Sequence, residues 1–130
     1  MEKSEILKLR KQGWIYGWKV FRVKKLHLKN ESFAPAIIPK TTYIYYRSKI
    51  SKREKGWGPF ACFKTRRQAD RFWVCNHINP GIVEKILYKP SKAKRLYFGK
   101  IFGCLFVAVR SKSYSTLPTG TQLANEFVIL

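Results

Sequence analysis

The chain has 130 residues, enough for one domain with a real core, and it sets 27 Lys and Arg against 7 Asp and Glu, a formal net charge of +20. Hydrophobic residues make up 45% of it and 20 residues are Phe, Trp or Tyr. This excludes a disordered basic tail, which lacks aromatic and β-branched residues.

Residues 4–11 suit a short helix capped by Ser4, with Ile6, Leu7 and Leu9 as a poor apolar stripe and Gly13 as its stop. Residues 1–16 are therefore expected to form a basic helix or mobile arm, and residues 17–130 a single domain. Residues 18–24 read as a strand. Pro35 and Pro39 restrict residues 32–39 to an edge strand or extended loop. Residues 41–50, dense in Tyr, Ile and Thr, are the clearest strand. A basic loop, 51–55, runs into Gly56-Trp57-Gly58-Pro59, a turn. Residues 60–63 form a short apolar strand.

Residues 65–76 are the main helix. Thr65 and Gln68 have the spacing of a capping box, and Ala69, Phe72, Trp73 and Asn76 share one face, which predicts Phe72 and Trp73 buried. A strand at 82–88, a basic loop at 89–95, and a hairpin of 96–98 with 101–110 follow, with Gly99 and Gly103 as bulge positions. A turn at 117–120 leads to a last strand, 122–130. The fold class is α+β: a single mostly antiparallel sheet of about six strands, one main helix packed on it, and a short N-terminal helix or arm.

A folded body this basic repels itself, and a polyanion is the expected partner. Phosphates bind such a surface by releasing condensed counterions, without sequence reading. The expected function is therefore nucleic-acid binding, to DNA or RNA, through phosphates and with little sequence preference. An anionic membrane surface and an acidic protein are the other partners that charge allows. The charge is sided: residues 1–55 hold 15 Lys and Arg, and residues 113–130 hold none.

Three places carry candidate contacts. On strand 41–50, Tyr43, Tyr45, Arg47 and Lys49 share a face by alternation and resemble a platform for bases and phosphates. The alternative is that the rings pack in the core while the cations reach solvent. Trp57, beside the loop with Lys52 and Arg53, is either a stacking residue or a cover for the sheet. At the helix start, Lys64, Arg66 and Arg67 crowd the end where the dipole disfavours cations, and Arg71 follows. A phosphate at that end explains them. A solvated Arg66–Asp70 pair is the bland reading.

Enzyme signatures are thin. Cys62, Cys75 and Cys104 are odd in number and show no C-x-x-C spacing, and His27 and His77 have no metal-ligand partner. No metal or cofactor is expected. The N-terminus lacks the apolar run of a signal peptide, and the longest apolar run is far short of the roughly 20 residues of a bilayer span. A cytoplasmic, nucleoid or host-cell interior location without a transmembrane segment is expected, with reduced thiols.

Three segments together, Trp18-Lys-Val-Phe-Arg-Val, Gly58-Pro-Phe-Ala-Cys-Phe-Lys-Thr with Ala69 and Phe72, and Leu117-Pro-Thr-Gly-Thr-Gln-Leu-Ala124, resemble a set of small uncharacterised α+β proteins of phages, viruses and prokaryotes. That resemblance implies a fold and no activity. A more distant similarity to ADP-ribosyltransferase-like folds implies Arg22 and Glu126 as catalytic candidates.

Overall fold

The computed structural model describes residues 1–25, 32–35, 45–53, 58–75, 81–93, 95–102, 105–113 and 117–130. Trp57, Tyr43, Pro39, Asn76 and Gly103 lie outside them.

Helix α1, Lys3–Lys11, is a formed helix and no arm. Ser4 does not cap it: Glu2 stands at the N-cap, with no side-chain bond. Its end is better built. Gly13 takes φ +93°, Gly13 N–H donates to the Arg10 carbonyl, and Trp14 N–H donates to that of Leu9, a Schellman ending that needs a residue tolerant of positive φ. Met1, Ile6 and Leu9 pack on Trp14, Leu87 and Val128. This half-buried stripe, more than propensity, holds a nine-residue helix.

Strand β1, Ile15–Lys25, pairs along Ile15–Arg22 with strand β6 (Gly81–Pro90), and from Phe21 onward with β2 (Ser32–Pro35). Strand β3 is Tyr45–Tyr46, and residues 41–44 lie outside the described residues. The long strand expected at 41–50 stops at Tyr46. Ser48 takes φ +63°, and its N–H donates to the Ile129 carbonyl. Tertiary pairing at the turn overrides the local β-preference. Strand β4, Ser51–Lys52, joins strand β9 (Thr121–Ile129), so the expected basic loop begins inside the sheet. Strand β5, Phe60–Phe63, pairs with β9, and it meets β1 at Trp18 and Phe63.

These pairings correct the expected open sheet. β1, β5, β9 and β6 close into a four-strand barrel, with β2 and β3 continuing outside β1. The closure is non-local, so strand patterns alone do not reveal it. Strands β7 (Arg95–Phe102) and β8 (Leu105–Ser113) pair as a separate hairpin. Their register shifts between Phe98 and Gly99, where a bulge was expected. No helix among the described residues is long and apolar enough to cross a membrane.

Helix α2, Arg66–Cys75, lies on the outer face of β1 and β6. Its capping box forms as expected: Gln68 N–H donates to Thr65 Oγ1 (3.2 Å), and Thr65 N–H donates to Gln68 Oε1 (3.3 Å). Ala69 is its buried residue. Phe72 and Trp73, expected buried, are only partly so, packed against the cluster of Val20, Phe63, Ala69 and Val83.

The barrel interior is aromatic. Tyr45 is 3% exposed, and its ring meets Phe127 at 5.0 Å, Phe21 at 5.9 Å and Phe60 at 5.9 Å, edge to face. Among the described residues, Lys19 is the one cation buried in this core. Lys19, 5% exposed, donates from Nζ to the Ala61 carbonyl at 2.7 Å and sits 5.6 and 5.5 Å from the Phe21 and Phe127 ring centres. Burial lowers its pKa from 10.5 to about 8, and burial pushes the neighbouring Cys62 thiol up to about 12.

Candidate nucleic-acid interface

Of the expected platform Tyr43 lies outside the described residues, and Tyr45, Arg47 and Lys49 do not share one exposed face. Tyr45 points into the core, because Phe21 and Phe127 offer it more apolar contact than solvent does. Arg47 and Lys49 belong to the turn after β3. Arg47 donates to both carboxylate oxygens of Glu84 (3.2 and 3.0 Å) and to the Leu130 carbonyl (2.7 Å). That bidentate pair ties the turn to β6 and to the end of β9. Lys49 lies over the Tyr46 ring at 5.3 Å, exposed.

Arg47→Ala is therefore expected to lower stability by about 1–2 kcal/mol, chiefly through a partly buried Glu84 left unpaired. Thermal melting checks this. A variant as stable as the wild type but weaker in nucleic-acid binding would return Arg47 to the interface.

Lys52 and Arg53 are also engaged by the barrel. Lys52 Nζ stands 3.8 Å from Glu126 and Arg53 donates to Asn125 Oδ1 at 3.2 Å. The catalytic pair implied by the distant resemblance is not assembled. Arg22 pairs with Gly81 at one end of β6, and Glu126 with Lys89 near the other. At the usual strand rise the eight residue steps from Gly81 to Lys89 separate them by roughly 26 Å along the sheet. Glu126 is held between Lys52 and Lys89, and Arg22 Nε is enclosed without a hydrogen-bond partner.

The cations of α2 behave differently. Arg66 leans over the Trp18 ring (5.4 Å) and lies 3.7 Å from Asp70. Arg67 and Arg71, one helical turn apart, point the other way, into a cleft of about 490 Å3. Gln68, Phe72 and Cys75 complete the helix side, and Pro118 and Thr119 form the opposite wall. Among the described residues neither arginine has an ion-pair partner, and Lys64 beside them has none. Like charges at i, i+4 destabilise a helix by a few tenths of a kcal/mol, and cations near its N-terminus add to that.

The capping box already satisfies part of the helix end, leaving the Arg66 and Arg67 N–H groups for an anion. The wall is fixed through Gly120, whose φ of +84° turns the chain and whose carbonyl accepts Lys64 N–H at 3.0 Å.

A second group was missed by sequence reading. On the outer face of β1 the Tyr16 ring is 40% exposed, with Arg10 Cζ 4.7 Å and Lys85 Nζ 4.6 Å from its centre. Trp18, two residues on, lies opposite Lys85 and carries Arg66. The alternation Tyr16, Trp18 was legible, but Arg10 and Lys85 reach them only through the packing of α1 and the pairing of β6. No protein-family model, curated protein or solved structure matches the chain.

Proposed function

We propose that the protein binds nucleic acid through the phosphate backbone, with little sequence preference, and that the cleft of Arg67 and Arg71 is a principal contact. The observation that carries this reading is the pair itself: two arginines one turn apart, facing one cleft, with no acid among the described residues to neutralise them. They sit on a chain of net charge +20. Such a pair costs helix stability when empty and is relieved by an anion. A guanidinium holds phosphate bidentately, and Gln68 and Thr119 add polar groups to the same cleft. The neighbouring cations Lys64 and Arg66 extend the contact, while Lys49 supports it from a distance as an exposed charge.

The test is the double change Arg67→Glu, Arg71→Glu. Hydrogen bonds to charged groups contribute about 1.5–3 kcal/mol each, so affinity for a labelled oligonucleotide should fall by about a hundredfold or more. The salt slope should become shallower by about 2, and melting should stay near that of the wild type. Unchanged affinity would remove the cleft from the interface. Binding of polyglutamate in place of DNA or RNA would replace the reading with an acidic protein partner.

A further inference from the structure

We propose that the outer face of the barrel between the two helices is a track for single-stranded nucleic acid, on which Tyr16 and Trp18 receive bases and Arg10, Lys85 and Arg66 hold phosphates. This rests on the nucleic-acid reading above and adds strandedness to it.

Tyr16 and Trp18 share one face of β1, since side chains two apart point the same way. To one side the face is closed by α1, which covers Leu87, and to the other by α2, which covers Val20 and Val83. Tyr16 is left exposed between them, with Trp18 partly so. Three cations from three elements gather on these two rings, at 4.7, 4.6 and 5.4 Å. Arg10 and Lys85 stand around the same ring and have no ion-pair partner among the described residues. Like charges converge there at a cost that an anion removes.

The aromatic rings decide which polyanion fits. A duplex keeps its bases stacked inside and offers phosphates alone, so Tyr16 and Trp18 would add nothing. A single strand offers unpaired bases that stack on aromatic rings and guanidinium planes, while its phosphates take the cations. Arg66 leans on Trp18 while its neighbour Arg67 lines the cleft, so the two faces meet at the start of α2.

Anisotropy titrations with a short unstructured oligonucleotide and with a blunt duplex of the same length, at low salt, test this. The wild type is expected to favour the single strand by about tenfold or more, the range set by one or two stacked bases. Tyr16→Ala should erase that preference by weakening the single strand alone, and Tyr16→Phe should keep it. Should Tyr16→Ala fail to melt cooperatively, the double change Arg10→Glu, Lys85→Glu is read instead, and it should weaken the single strand more than the duplex. Equal affinity for the two forms would overturn the track and leave the phosphate reading standing. So would a Tyr16→Ala protein that melts earlier yet keeps its preference, since the cation–ring contacts would then serve only to hold α1 and α2. Binding of neither form would overturn both.

Discussion

Lys19→Met is expected to stabilise the protein at neutral pH by about 2 kcal/mol. In the unfolded chain the amine keeps its proton up to about pH 10.5, and in the barrel only up to about pH 8. Between those limits the unfolded state binds more protons, so this group makes stability rise with pH. Below pH 8 the whole penalty is present, about 3 kcal/mol at 1.36 kcal/mol per pH unit. Methionine keeps the length and removes the amine, at a cost of about 1 kcal/mol for the Ala61 carbonyl that loses its donor. The advantage of the variant should shrink by about 3 kcal/mol between pH 7 and pH 10.5. Cys62 acts in the opposite sense. Its thiol keeps its proton to about 12 in the fold but loses it near 9 when unfolded, so its contribution falls as pH rises through that window. Comparing the variant with the wild type at each pH largely cancels that shared slope. Denaturant titrations across the range check the result. A variant that is less stable at pH 7 would mean that the Lys19 bond and its two ring contacts outweigh burial.

Gly120→Ala is expected to cost about 2–3 kcal/mol and to weaken nucleic-acid binding together. A Cβ there has no room, because it would fall on the Gln68 amide, and φ is +84°. The left-handed conformation costs an L-residue about 1–2 kcal/mol. Displacing Gln68 takes its half of the capping box away, at about 1 kcal/mol. The same residue carries the turn with Pro118 and Thr119, so the cleft wall moves with it. Melting and oligonucleotide affinity should fall in the same variant. Loss of stability with full affinity would separate the cap from the cleft.

The helices show what the sequence could disclose. The capping box of Thr65 and Gln68, the stop at Gly13, the strand 60–63 and the bulge at Gly99 are all local, and each could be read from spacing and turn chemistry. The candidate site was half legible. Arg67 and Arg71 have no acid at i±4, and this was visible in the sequence. Arg66 pairs with Asp70 as spacing allows, yet its other contact, Trp18, lies on a different element. Tyr45 and Arg47 were read onto one outer face because a strand pattern does not say which face becomes the inside of a barrel. Phe21 and Phe127, distant in sequence, drew Tyr45 inward. Glu84 and Leu130 took Arg47. Lys19 escaped notice for the same reason: it alternates with Phe21 on the inward face, and a lone Lys in a strand reads as surface until the ring of strands is closed.

Binding of an unstructured oligonucleotide by the unmodified protein, followed by anisotropy across a series of salt concentrations, tests the central claim most directly. Lys64, Arg66, Arg67 and Arg71 alone supply four cations on and beside α2. The logarithm of the binding constant should therefore fall by about 3 or more for each tenfold rise in salt. Affinity that is absent at low salt, or tight and indifferent to salt, would contradict it.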